Sequence, residues 1–515
     1  MSFSISEKVS AVHRIKPVFP LRLTASLAIA ALACAICGLP PLAGSARAAD
    51  QTFNVTLVGQ ADPLRPNVFP SPTQRIYGDI WVDGNYAYMG SDVNGGGVSI
   101  FDISVPSNPT FIRNPANSTG PITMPTYLGD QMEDIEVYNG IGYIGSDVNV
   151  SSGTGVDIVD FSDPTNPMFI SRINGDIGGH NKVHTLAYAD GFLYTSDNAT
   201  DTIKVFDVRD PGLPEFKYTL DLGLPSGQAS HEVYTQNGRL YVASKNNSSS
   251  QFSSGTTAIF DVSNVATSAP SLMKLFATGA GTHTAMPSAD GKLLAVAQER
   301  TNGDVVLYDI SMIDQASDPN TPTILSTINR TSLGIDAHSP HHPHFHGDML
   351  MLSWYEAGLQ IFNIADPTNP IRTGSYDTFP GTSTSYNGVW GNFVQLNAEG
   401  ILQNVFISDR SKGLMVLDVS DAASTGDFNQ DNIVDGNDFL AWQRNYGVQN
   451  DATLAMGDGN RDKKVTSRDL DVWKFQFGES GAHHAITAVP EPASIWLLAI
   501  SLLTTVAASR KRILH

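Results

Sequence analysis

The chain has 515 residues, 41% of them hydrophobic and 16% charged, which excludes a disordered polymer and exceeds what one non-repetitive core accommodates. The formal net charge is −20, and basic residues cluster at the ends (Lys8, Arg14, Lys16, Arg22 and Arg47; Arg510, Lys511 and Arg512), so the middle is more acidic still. Such a surface repels phosphate backbones, which excludes nucleic acid as a partner. Glycine (45) and proline (29) are plentiful and long amphipathic helical patterns are scarce, a combination that predicts many short strands joined by turns.

Residues 1–48 read as a secretory signal peptide: a basic segment, an apolar run over 23–42, then the small-x-small triplet Ala46-Arg47-Ala48. Cys34 and Cys37, the only cysteines, lie inside that run. The mature chain would therefore contain no disulfide, thiolate ligand or cysteine nucleophile.

Residues 51–422 are filled by one recurring unit. A strand opens it, a turn at Gly or Asn-Gly follows, a second strand runs back, and a third of the type Val-x-Ile-Phe-Asp-Ile closes it. The third strands fall at 98–103, 156–161, 203–208, 257–262, 305–310, 359–364 and 414–419, seven copies in all. A period of about 45–60 residues with three or four strands per copy predicts propeller blades. The seventh copy lacks a fourth strand, and the spare segment 53–59 is expected to supply it and close the ring. The fold class expected is thus all-β, a seven-bladed β-propeller, followed by a small α-helical calcium module. The pattern Val156-Asp157-Ile158-Val159-Asp160-Phe161-Ser162-Asp163-Pro164-Thr165-Asn166-Pro167, repeated at 359–370, resembles the LVIVD repeat of secreted propellers attached to varying surface-sorting tails. The resemblance implies the fold and little about function.

His184, His231 and His283 each stand just before the first strand of successive copies, with Asp79 and Asp134 in the comparable place in the first two. The sixth copy offers His338, His341, His342, His344 and His346. First strands line a propeller's channel, so His184, His231, His283 and one of His342 or His344 are expected to converge with Asp79 and Asp134. Imidazoles and carboxylates on a fixed ring suit Zn, Cu, Fe or Mn. Glu133, Glu136 and Glu232 lie near in sequence as candidate general bases. The same polar ring would equally serve to hydrogen-bond neighbouring blades. No nucleophile triad or phosphate loop is recognisable, and catalytic residues are not identified.

Over 426–478 a calcium-loop pattern occurs twice. Asp427, Asn429, Asp431, Ile433, Asp435 and Asp438 match Asp458, Asn460, Asp462, Lys464, Thr466 and Asp469, the positions 1, 3, 5, 7, 9 and 12 of a loop with oxygen ligands, position 7 using its carbonyl. About two Ca2+ ions are expected. Each loop runs into a helix carrying Trp442 or Trp473. Loop-then-helix in duplicate resembles a dockerin module, which implies a cohesin-like protein partner in assemblies that degrade polysaccharide.

After a linker at 479–488, residues 489–515 read Val489-Pro490-Glu491-Pro492, an apolar run over 495–508, then Arg510-Lys511-Arg512. The run is shorter than the roughly 20 residues that span a bilayer. The three parts resemble the PEP-CTERM sorting signal of Gram-negative bacteria. That resemblance implies transient membrane anchoring, cleavage by an exosortase-type enzyme, and delivery to the cell surface or extracellular matrix. The sequence reading is therefore an exported binding scaffold for protein or polysaccharide. Its alternatives are an exported metal-dependent hydrolase or oxidase using the channel histidines, and a dockerin-borne component of polysaccharide degradation.

Overall fold

The computed structural model describes residues 52–63, 76–92, 97–112, 134–147, 154–246, 254–314, 322–331, 333–334, 339–379, 386–396, 402–423, 425–429, 431, 433–459 and 464–477. The chain divides into 1–46 and 47–515. The expected signal peptide, the linker and the sorting tail lie outside the described residues, as do Glu133, His338, Asn460 and Asp462. Among the described residues no helix is long and apolar enough to cross a membrane.

Seven antiparallel four-stranded sheets make up most of the second unit. The first strands of the sheets are Tyr77–Asp83, Asp134–Tyr138, Thr185–Ala189, Gln228–Gln236, Thr282–Pro287, Pro343–His346 and Val389–Leu396. Each contacts the first strands on either side, so the sheets close into a ring with these strands lining the channel. The architecture is a seven-bladed β-propeller, with blades numbered here in the order of those strands. Blade 7 takes its outermost strand, Thr56–Ala61, from the N-terminal side, paired with Gly413–Asp418. The expected closing segment 53–59 needs correcting at its start: Phe53 pairs instead with Ser375 of blade 6.

The repeat has local physical causes. In blades 2, 3 and 4 the turns Asn139-Gly140, Asp190-Gly191 and Asn237-Gly238 hold both residues at positive φ, the two-residue hairpin geometry that fits strand twist. The Asp or Asn that ends each third strand accepts the N–H two residues on: Asp102 from Ser104, Asp160 from Ser162, Asp207 from Arg209, Asp261 from Ser263, Asp309 from Ser311, Asn363 from Ala365 and Asp418 from Ser420. That short side chain turns the strand into the next connection, which is why it recurs in the motif. Apolar faces then meet between blades. Ile203, Val205 and Leu220 of blade 3 pack with Val233, Leu240 and Val242 of blade 4.

The C-terminal segment adds two ten-residue helices, α1 (Gly436–Asn445) and α2 (Ser467–Gln476), each opened by a capping box, at Asp435/Asp438 and Thr466/Asp469. Phe428, Trp442, Ala452 and Val465 form its small core.

Candidate functional site

The residues at one level of the channel are placed there by irregularities in the first strands. In blade 4 the pairing passes from Ser230 to Glu232, leaving His231 unpaired. Blade 5 skips His283 in the same way, between Thr282 and Thr284. Blade 7 skips Trp390, and blade 1 slips over Gly78 and Asp79. A bulge lets a strand aim an extra side chain away from its alternating pattern. His184 precedes the first strand of blade 3, His341 and His342 precede that of blade 6, and Asp134 opens that of blade 2.

The imidazoles form a continuous arc across blades 3 to 6. His184 Nε2 and His231 Nε2 are 3.1 Å apart. Ring centroids are separated by 4.2 Å for His231–His283, 4.2 Å for His283–His341 and 4.2 Å for His341–His342. Carboxylates close the circle: Asp79 Oδ1 lies 3.5 Å from His342 Nδ1, and Glu232 Oε2 lies 3.6 Å from His342 Nε2. Two triplets hold their ligand atoms within 4.8 Å of one another, His283 with His341 and His342, and His231 with His283 and Glu299. A void of about 10 Å³, the size of one water or ion, is lined by Asp79, Asp134, Glu232, His184, His283, His341 and His342.

Of the two alternatives in blade 6, the structure brings His342 to the arc. His344 lies one layer further along, beside Phe393 at 6.4 Å between ring centroids. Two residues of strand rise, about 6–7 Å, separate the two layers, so His344 is corrected out of the cluster while His342 stays in it. His341 joins it unexpectedly.

Burial pushes His231, His283 and His341 well below the usual histidine range, reinforced by Lys245 and the other imidazoles, so all three are neutral at pH 7. His342 is also buried, but the carboxylates of Asp79 and Glu232 override that and raise it to about 10. Burial, with Asp79, Glu232 and Glu136 nearby, raises Asp134 well above the carboxylate range, although it accepts the Leu186 N–H at 2.6 Å. Burial likewise pushes Glu136 up to about 8, partly offset by the Tyr188 N–H it accepts at 2.7 Å.

A supporting layer, missed from the sequence, fixes the arc. His341 Nδ1 donates to the Trp390 carbonyl oxygen at 2.8 Å. Glu299 Oε1 accepts Tyr355 Oη at 2.8 Å, and its Oε2 accepts Lys245 Nζ at 3.0 Å while lying 3.5 Å from His283 Nε2. Arg410 lies over the Trp390 ring at 4.3 Å and pairs with Asp92. Tyr355 holds φ at 27°, a strained value for a bulky residue beside the site. The one available signal was position: Trp390 stands where His283 stands in its own blade.

Outward from the arc the channel widens into a cavity of about 260 Å³. Trp81, Tyr234 and Phe393 line it, with Asp79, Asp134, Glu136 and Glu232. Trp81 meets Phe393 at 5.2 Å and Tyr138 at 5.1 Å, and Tyr138 meets Tyr188 at 4.6 Å, extending an aromatic belt over four blades.

In the C-terminal module the first loop folds around its own side chains. Asp431 N–H donates to Asp427 Oδ1 and Asn429 Oδ1, Ile433 N–H to Asp431, and Asn437 N–H to Asp435. Asp438, fully buried, accepts the N–H groups of Phe428, Asn429 and Asp435. In the second loop Asp458 and Asp469 are buried, Lys464 is exposed, and Thr466 caps α2.

Segments 75–115, 131–175, 354–378 and 404–426 match the LVIVD repeat. They fall on blades 1, 2, 6 and 7, and the chain is a seven-bladed β-propeller carrying LVIVD repeats. No curated protein matches the sequence. Among solved structures, it is similar to the β-propeller domain of Cps50 (Swd1) from Myceliophteria thermophila, with a TM-score of 0.47 and 10% identity over 70% of this chain and 98% of that one. A protein from Lactobacillus plantarum gives 0.46 and 12% over 65% and 88%. The WD40 β-propeller domain of Doa1 gives 0.44 and 12% over 72% and 97%. The fold rests on the strand pairing and not on these similarities.

Proposed function

We propose that the protein is an exported cell-surface scaffold that binds a neutral, hydroxyl-rich polysaccharide of the extracellular matrix at the mouth of its propeller channel. One observation carries this reading: the 260 Å³ cavity whose walls are Trp81, Tyr234 and Phe393 and whose polar groups are carboxyls. Aromatic faces stack on the apolar faces of sugar rings, while carboxyls and Asn392 bond their hydroxyls. The net charge of −20 disfavours polyanions. Retardation in native gels cast with neutral or anionic polysaccharides tests it. Retardation by a neutral polymer that disappears in Trp81→Ala is expected, and equal migration of both proteins in every gel contradicts it.

In the same reading, 1–48 directs export, and 489–515 anchors the chain transiently until an exosortase-type enzyme releases it to the surface. The module at 426–478 binds about two Ca2+ and offers a docking face for a cohesin-like protein. A second reading, an exported metal-dependent hydrolase or oxidase, is favoured by His342 and Glu232 lining both the aromatic cavity and the smaller void behind it.

A further inference from the structure

We propose that His283, His341 and His342 hold one first-row transition-metal ion of the nitrogen-preferring kind, such as zinc, copper or iron, in the void at the centre of the channel. This goes beyond the polysaccharide reading and stands independently of it.

The strongest ground is His341. Its Nδ1 faces the Trp390 carbonyl at 2.8 Å, and a carbonyl oxygen only accepts, so the proton is on Nδ1 and the lone pair on Nε2. That Nε2 is buried and has no hydrogen-bond partner, on a residue only 1% exposed. A histidine whose one nitrogen is anchored to a backbone carbonyl while the other presents a bare lone pair is the usual arrangement of a metal ligand.

Size and convergence agree. The ligand atoms of His283, His341 and His342 lie within 4.8 Å of one another, and all three residues line the void of about 10 Å³. Two nitrogens bound at about 2.1 Å in a tetrahedral set stand about 3.4 Å apart, so the set draws in by up to about 1.4 Å. Metal binding displaces the proton that Asp79 and Glu232 favour on His342: Asp79 goes on accepting from Nδ1, Nε2 turns to the ion, and Glu232, which lines the same void, is at hand to complete the set.

Three imidazoles select against calcium and magnesium, which require oxygen. They suit zinc, copper and iron. The ligands are also carried rigidly: His283 sits on a bulge, His341 is tied to blade 7, and Trp390 is held under Arg410. A ring that only joined blades would not leave the His341 lone pair bare.

The test uses the full chain purified after export, stripped with a chelator and titrated with cobalt(II) chloride alone. Visible absorption bands of nitrogen-coordinated cobalt, saturating at about one ion per chain, are expected. His283→Gln and His341→Gln should weaken binding at least about 100-fold, while His344→Ala, in the adjoining layer, and Trp81→Ala should bind as the parent does. Absence of bands from the folded parent, or binding by His341→Gln equal to the parent, overturns the proposal. Should the glutamine variants fail to fold, X-ray absorption of the cobalt-loaded parent decides: a nitrogen shell near 2.0–2.1 Å is expected, and a shell of oxygen alone overturns it.

Discussion

Trp442 and Trp473 make the same hydrogen bond in opposite directions. The indole N–H of Trp442, on α1, donates to the carbonyl of Thr466 at 2.7 Å, and that of Trp473, on α2, donates to the carbonyl of Asp435 at 2.8 Å. Asp435 and Thr466 are the N-caps of the two helices, so each helix pins the loop exit of the other. Phe439, between the indoles at 5.6 Å from Trp442 and 5.0 Å from Trp473, fills the interface.

Coupling of this kind makes loop order and helix packing one transition. Calcium is expected to raise the thermal midpoint of the module, followed by tryptophan emission, because a ligand bound only by the folded form stabilises it. Asp427→Ala combined with Asp431→Ala should remove most of that rise. An emission transition indifferent to calcium would contradict the calcium reading.

Asp438→Ala should unfold the module even without calcium. The buried carboxylate satisfies three N–H groups, and each donor left unpaired costs about 1–3 kcal/mol. Loss of the module's near-ultraviolet circular dichroism, with the propeller melt unchanged, is the expected signature.

Asp197 ties blade 3 through His180 Nδ1 at 3.2 Å and the N–H groups of Ala199 and Thr200. Burial alone would raise its pKa, but these bonds hold it well below the carboxylate range. A depressed folded pKa stabilises at pH above the unfolded value, about 3.9, and the contribution is lost as pH falls through the folded value. Asp197→Asn should therefore cost about 1–3 kcal/mol at pH 7, and the gap from the parent should narrow below about pH 4 in denaturant melts.

Ring closure has its own single-residue test. A side chain at Gly59, in the closing strand, would meet the Pro106 carbonyl at 2.2 Å. Gly59→Val should lower stability by about 1–3 kcal/mol. Gly59 is not at positive φ, so the loss reads the steric clash and not a backbone conformation reserved for glycine.

The blades were legible because their signals are local: the Asn-Gly and Asp-Gly turns, and the strand-ending Asp that caps its own connection. The strand that closes the ring was legible as an arithmetic deficit, a seventh copy one strand short. The site was legible in outline, as histidines at one place in successive blades. Trp390 was hidden because it stands on a bulge, as His231, His283 and Asp79 do, and a period-two reading assigns faces only to unbroken strands. His341, masked by its neighbour His342, and Glu299, brought in by a second strand, became visible only through contacts across blades.

The most direct test of the central claim, that the channel mouth is the binding site, is calorimetric titration of a neutral matrix oligosaccharide into the calcium-loaded full chain and into Trp81→Ala. At least about tenfold weaker binding by the variant, about 1.4 kcal/mol, is expected. Equal affinity of the two proteins would place the ligand elsewhere and contradict the account.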